Sequence, residues 1–327
     1  LAEWLVEEGI GEHRALLLEG GRIEAARLHW PGTLTAGQVE DARLITRRAG
    51  TSRGLVRFGS GEEALADALP KTATEGSKLR CIVVRSALRE QGRVKAAQVR
   101  PTNLETRAAP TLLEQLRDEG QPARLVRRFP EDADWNGLWT EVRGREVEFP
   151  GGRLLFHPTP AMTLIDVDGD GRAADLAGRA VTPLARALRQ MDVGGNIGID
   201  FPTLTAREER RRIDAALAAA LLAWPHERTA MNGFGFVQIV ARQTRPSLLA
   251  LLTFQPAAAL ARRVLRDAEL LSGSGDILLA CSDAVEGALK GEWLAELSRR
   301  TGRAVRVGSA PSGLDRHHAH AQLVPRD

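Results

Sequence analysis

The sequence predicts a mixed α/β protein of the α+β, multi-unit kind, in which a small all-β barrel precedes an α/β core. Three observations carry this expectation. The 327 residues can bury a substantial core and exceed one small module. From Pro31 to Val99 short apolar runs alternate with Gly-bearing turns, and no long helix intervenes. From Thr163 onward strand-like and helix-like blocks alternate, the pattern of strands covered by crossover helices.

Taken in order, HRALLLE (13–19), Gly20-Gly21 and Ile23 to Trp30 read as a β-hairpin, the glycines being free to take the positive φ of a tight turn. GQVEDARLITRRAGTSRGLVRFGSG, KLRCIVVRSAL and GRVKAAQV then supply five short strands, enough for a barrel of the oligonucleotide-binding type. TLLEQLRDEG and DADWNGLWTEV read as helices, with Trp135 and Trp139 spaced as core contacts rather than as a stacking platform. The strands REVEF and GRLLFH follow. Thr163 to Val167 is a further strand, Thr182-Pro183 is expected to open a helix LARALRQM, and GNIGIDF is the next strand. Thr205 with Glu208 has the spacing of a capping box before a helix reaching about Leu222, and GFGFVQIVAR is another strand. SGSGD reads as a linker into DILLACS, a helix through AVEGALKGEWLAELSRRTG, and the strand AVRVG.

Composition bounds the function classes. With 43% hydrophobic and 27% charged residues the chain is neither disordered nor fibrous. Asp214 to Trp224 is too short to cross a membrane, and the acidic start LAEWLVEEGIGE lacks a signal peptide's pattern, so a soluble, cytoplasmic protein with no membrane partner is expected. Cys81 and Cys281 lie in separate apolar runs and read as buried free thiols. Only Lys71, Lys78, Lys95 and Lys290 are lysines, leaving 41 of 45 basic residues as arginine. GC-rich coding accounts for such a bias, and a net charge of +3 argues only weakly for nucleic acid, although the arginine fork suits phosphate.

The chemistry concentrates in MTLIDVDGDGRA (162–173), which places Asp166, Asp168 and Asp170 at every second position. Residues two apart on a strand share a face, so Asp166 and Asp168 converge at its end. Asp200 closes the neighbouring strand, and a strand–helix–strand connection makes the two strands parallel, bringing their C-terminal ends to one sheet edge. Clustered carboxylates repel unless a cation or a proton neutralises them, and hard oxygen ligands suit Mg²⁺ or Mn²⁺. A solvated polar turn after a buried strand remains the alternative. DVDGDG opens like a calcium loop, but the twelfth position needs a bidentate Glu and holds Ala177. His317, His318 and His320 are read as a surface edge strand ahead of a zinc site, and Gly194-Gly195 as a helix-to-strand turn.

AMTLIDVDGDG, LARALRQMDVGGNIGIDF and FGFVQIVARQTRPSL together resemble the catalytic region of the bacterial ribonuclease E/G family. That family's pattern is an ID-x-N strand end, an IARQLRLRNLGGIIVIDF segment and a G-[LV]-[LV]-E-M-[TS]-R-x-R stretch. The resemblance covers nearly the whole chain. It implies a split ribonuclease-H-like subdomain over 1–33 and 101–158, an inserted RNA-binding barrel over 34–100, a DNase-I-like catalytic subdomain over 159–255 and a small C-terminal α/β subdomain over 256–327. It places Asp166 and Asp200 on the family's metal-binding aspartates and Asp168 on the asparagine that helps hold them. Arg245 matches an arginine of the family's basic strand, Arg242 lies one place off another, and both become candidates for holding RNA phosphate. Asp170 has no counterpart and stays open between a supporting and a surface role.

The departures matter as much. Only a remnant of the family's sensor of 5′-monophosphorylated RNA fits, the RNA-stacking phenylalanines of the barrel are replaced by Leu55 and Leu65, and the CPxC zinc link is absent after Leu252, so a zinc-linked dimer is not expected and the oligomeric state stays open. The function implied is an Mg²⁺-dependent endoribonuclease that cleaves single-stranded RNA to 5′-phosphate and 3′-hydroxyl ends in RNA processing or decay. The alternatives are an RNA-binding protein with a decayed nuclease site, and a metal-dependent phosphatase or other small-molecule phosphoesterase on a similar core.

Overall fold

The computed structural model describes residues 2–309 and 317–326; residues 1, 310–316 and 327 lie outside the described residues. The chain starts as an antiparallel meander of β1 (Glu3–Gly9), β2 (Glu12–Glu19) and β3 (Arg22–His29). Gly20 and Gly21 take φ of +57° and +78° in the predicted hairpin turn. Alternation splits its side chains between two layers: Leu5, Leu16, Ala26 and Leu28 join the main core, whereas Trp4, Val6, Ala15 and Ala25 face the other way.

The barrel comprises β4 (Val39–Arg47), β5 (Gly54–Phe58), β6 (Glu63–Ala66) and β7 (Lys78–Arg85), a small hairpin of β8 (Leu88–Glu90) and β9 (Arg93–Lys95), and β10 (Ala97–Pro101). It closes in the order β10-β6-β5-β4-β7, with β10 antiparallel to β7 and parallel to β6. Leu44, Val56, Phe58, Ala64, Cys81 and Val83 fill the interior. The predicted five-stranded barrel is therefore present. Cys81 is a buried free thiol, as is Cys281, and burial pushes both up to about 11.

Helix α1 (Leu112–Asp118) starts at a Thr111–Glu114 capping box and covers the outer face of the meander through Leu112, Leu113 and Leu116. Strand β11 (Ala123–Leu125) adds in parallel to β1. Helix α2 (Trp135–Gly144) buries Trp135 and Trp139, whose rings lie 6.2 Å apart in the core, as their spacing predicts.

The α/β core holds β12 (Glu146–Phe149), β13 (Gly152–Pro158), β14 (Thr163–Gly169), α3 (Ala173–Gln190), β15 (Gly195–Asp200), α4 (Arg207–Ala220), β16 (His226–Arg228) and β17 (Phe236–Ala241). Its six strands run β12-β13-β14-β15-β17-β16. Helix α3 is the crossover that makes β14 and β15 parallel, while the other neighbours are antiparallel. Two expectations about helix starts are corrected. Thr182-Pro183 lies inside α3, which begins a full nine residues earlier at Ala173, because its run of buried positions from Ala174 to Leu188 continues through the proline. Helix α4 begins at Arg207 after Ala206, with no side-chain cap; Arg210 donates to the Thr205 carbonyl (2.9 Å) and organises that entry instead.

The remaining elements are α5 (Leu248–Phe254), α6 (Pro256–Glu269), β18 (Asp276–Cys281), α7 (Asp283–Glu286), α8 (Gly291–Thr301), β19 (Val305–Ser309) and β20 (Ala319–Val324). The three strands form a sheet in the order β19-β18-β20, so β20 is an edge strand that carries His320, while His317 and His318, expected on the same strand, precede it. The helix read as continuous through 284–302 is broken: Gly287 closes α7, and Lys290 is extended (φ −107°, ψ 141°) before α8. Among the described residues no single helix is long and apolar enough to cross a membrane; α5 and α6, bent by 108° at their junction, bury their apolar faces in the two cores they join.

Candidate active site

The six-stranded sheet buries one face and leaves the other open. Ile165, Val167, Ile197, Ile199, Val237 and Ile239 point into the core, so alternation turns Leu164, Asp166, Asp168, Asn196, Asp200, Gln238 and Val240 to the exposed side. Asp166 and Asp200 are register partners on the parallel strands β14 and β15, at their C-terminal ends. Neighbouring strands lie about 4.8 Å apart, so the two carboxylates project side by side from adjacent backbones. Their proximity has an electrostatic signature. The Asp166 carboxyl is held above the usual carboxylate range first by partial burial, then by the charges of Asp200 and Asp168, with His157 acting in the opposite sense.

The third aspartate is engaged elsewhere. Asp168 faces Arg153 across the β13–β14 ladder, and its carboxylate accepts from Arg153 Nη2 at 2.8 Å and Nε at 2.9 Å. Arg153 also reaches Glu146 at 3.4 Å. The structure thus brings Asp166 and Asp200 together and turns Asp168 toward a cation of the protein. Among the described residues no group of three His, Cys, Asp or Glu side chains is gathered tightly enough to hold a metal ion, which applies to the aspartates and to His317, His318 and His320 alike. Asp170 is exposed in the turn before α3, where its carbonyl accepts from Arg179.

Arg242 and Arg245 are not brought to the aspartates. Strand β17 is antiparallel to β15, with Phe236 opposite Asp200 and Ala241 opposite Gly195. Residues beyond Ala241 therefore lie at the far end of the strands, five residues or about 17 Å from Asp200. Arg242 is exposed there. Arg245 is mostly buried, and its guanidinium grips Asp192 (Nε–Oδ2 2.7 Å, Nη2–Oδ1 3.2 Å) and Glu119 (3.5 Å). That fork is filled by the protein's own carboxylates.

Sequence reasoning missed one neighbour. His157, exposed on β13 opposite Leu164, is the side chain that acts on Asp166 against the neighbouring aspartates; nothing in the run GRLLFH distinguishes it from a surface residue. Arg207 and Arg211 are exposed and one turn apart on α4, the helix that follows Asp200. The run REERRR that contains them reads as a charged helix face, and α4 packs against α3, the helix on the buried side of the sheet.

At its other end the open face meets the barrel. A cavity of about 340 Å³ lies between the β8–β9 hairpin and the sheet, lined among others by Arg85, Arg89, Lys95, Met162, Asn196 and Val240. Arg93 donates to the Pro160 carbonyl (3.0 Å) and Ser86 N to the Thr244 carbonyl (2.9 Å), fixing the hairpin over that end. On the barrel itself Leu55 and Leu65 line a second cavity of about 350 Å³, rimmed by Arg47, Arg48 and Arg53.

No family model matches the chain. Over 197 residues it is 29% identical to Ribonuclease G of Escherichia coli (strain K12), a stretch covering 51% of this chain and 40% of that protein. Ribonuclease G of Shigella flexneri and of Salmonella typhimurium (strain SL1344) match with the same identity and coverage. The matched stretch thus spans less than half the length of these curated relatives. The resemblance to the ribonuclease E/G family is borne out over about half of the chain rather than nearly all of it: this chain is distantly similar to Ribonuclease G.

Proposed function

We propose that the protein is an endoribonuclease that cleaves single-stranded RNA at the Asp166–Asp200 edge, leaving 5′-phosphate and 3′-hydroxyl ends, in RNA processing or decay in the cytoplasm. The observation that carries this reading is the pairing of two exposed carboxylates, in register, at the C-terminal ends of parallel strands, in a chain similar to Ribonuclease G. In the same reading the meander with α1 and α2 corresponds to a ribonuclease-H-like part, the barrel to an RNA-binding insertion, and the six-stranded sheet to a DNase-I-like catalytic part.

The residues present fit a divalent cation. Partial burial and then the charge of Asp200 raise the cost of ionising Asp166, and Mg²⁺ or Mn²⁺ is satisfied by one or two protein carboxylates with water completing its shell. Asp166 and Asp200 would hold it, and the chemistry it supplies is Lewis-acid stabilisation of charge on the phosphate together with a lowered pKa for water. The protein's own side chains do the rest. The open face offers a floor along which a strand can lie toward the basic hairpin of the barrel. The arginine-rimmed groove at Leu55 and Leu65 offers the barrel's own contact with RNA.

Incubation with an end-labelled single-stranded RNA, with and without Mg²⁺ or Mn²⁺, tests the reading. Cleavage is expected only with the ion, and Asp200→Asn is expected to reduce it by at least about 100-fold. Full activity of that variant, or cleavage that persists in EDTA, removes the assignment. A second reading, an RNA-binding protein with a decayed site, is favoured by the engagement of Asp168 with Arg153. It is distinguished by RNA affinity that falls with salt and by no cutting under any of these conditions.

A further inference from the structure

The loop between β16 and β17 holds a phenylalanine in the open. Phe234 is 81% exposed, although Phe236, two residues on, packs over Gly198 toward Leu164. The exposure is built in. The Asn232 side-chain oxygen accepts from Phe234 N (2.9 Å) and Phe236 N (3.0 Å), and Asn232 N donates to the Phe236 carbonyl (3.1 Å). Gly235 takes φ +88°, and its carbonyl accepts from Phe201 N at 3.2 Å. A Cβ on Gly235 would lie 2.5 Å from the Phe201 carbonyl oxygen, so the turn sits against the residue that follows Asp200 and admits no larger side chain there. Because Phe236 is the register partner of Asp200, Phe234 projects beyond the strand at the carboxylate edge.

We propose that Phe234 is a stacking platform for a nucleobase of single-stranded RNA, seating the nucleotide next to the phosphate presented to Asp166 and Asp200. This rests on the nuclease reading. Two adjacent carboxylates have no attraction of their own for a polyanion, so a contact that does not depend on charge adds to what holds the strand at this edge. Stacking on an aromatic face does that without regard to sequence, since every base has such a face. The surroundings favour a base over a protein partner: Asn232 and Gly233 flank the ring and are exposed, and one isolated aromatic provides nothing near the roughly 1,000 Å² of a stable protein interface.

The test uses the full chain and a single-stranded oligoribonucleotide with 2-aminopurine placed at successive positions. Binding is read by fluorescence in the Asp200→Asn background, and turnover in the otherwise unaltered chain. Quenching at a position flanking the cleavage site is expected. Phe234→Ala is expected to abolish that quenching and to raise KM about tenfold with kcat within about twofold, and Phe234→Trp to restore both. A thermal melt of Phe234→Ala unchanged from the parent separates these effects from folding. Cleavage by the parent with quenching and KM indifferent to Phe234→Ala overturns the proposal and leaves the nuclease reading standing. Quenching that depends on Phe234 in a parent that never cuts overturns the nuclease reading and leaves the stacking. Absence of RNA binding by the parent overturns both.

Discussion

Asp166 is a carboxylate at odds with its surroundings, raised above its ordinary range by partial burial and by the charges of Asp200 and Asp168. A carboxyl whose folded pKa exceeds its unfolded one binds its proton more tightly in the folded state, so it favours folding at acid pH and opposes it once ionised. Asp166→Asn is therefore expected to melt no lower than the parent at pH 7, and higher if the repulsion dominates, while cleavage falls by at least about 100-fold. The melting difference should shrink below about pH 4, where the parent's carboxyl is protonated. A variant that loses stability at pH 7 would show that Asp166 is a structural group. The pairing of Asp166 with Asp200 was legible in the sequence, because side-chain period and a helical crossover leave little freedom. The positions of Arg242 and Arg245 were not. Proximity in a motif does not reveal strand direction, and the antiparallel run of β17 carries those residues away from the edge that β15 reaches.

At the scale of elements, local signals sufficed where they were the deciding term. The Gly20-Gly21 turn and the barrel strands both follow from them. They failed where burial outweighed them: Pro183 costs α3 a backbone donor, yet nine buried positions from Ala174 to Leu188 hold the helix together across it. The β2–β3 ladder carries a second feature that no local pattern announces. His13 and His29 are register partners with rings 5.8 Å apart, and burial, His13 and Arg245 push His29 down from 6.5 to about 4. A base with a depressed folded pKa leaves the unfolded chain binding more protons between the two values. Its contribution is intact above pH 6.5 and is lost as pH falls toward 4, a change on the order of 2–3 kcal/mol. His29→Asn is expected to flatten urea-derived stability across pH 6.5 to 4, and an unchanged slope would assign the acid sensitivity to other groups.

Over the whole molecule, a buried ionic chain ties the first strands to the last helices. Glu7 accepts from Arg14 (2.7 Å) and Arg266 (3.1 Å), Arg266 pairs with Glu269 (3.1 Å), and Glu269 accepts from Arg300 (2.8 Å). Glu7 also receives Phe129 N, and Arg266 donates to the Arg127 carbonyl. Glu7, Arg14, Arg266 and Glu269 are all nearly inaccessible to water, so removing one strands another. Arg14→Ala is expected to cost about 3–5 kcal/mol in chemical denaturation, whereas disrupting the exposed Arg299–Glu296 pair should cost less than about 1 kcal/mol. Beside this chain Arg262 lies between Trp30 and Trp293, 4.0 and 4.6 Å from the two ring centres. These contacts set an order on synthesis. A nascent chain leaving the ribosome exposes Glu7 and Arg14 about 250 residues before Arg266 emerges, which at roughly 5–20 residues per second is about 12–50 seconds. Through that interval Glu7 has Arg14 beside it but lacks Arg266, so the opening sheet completes its ionic contacts only once the later helix has been made.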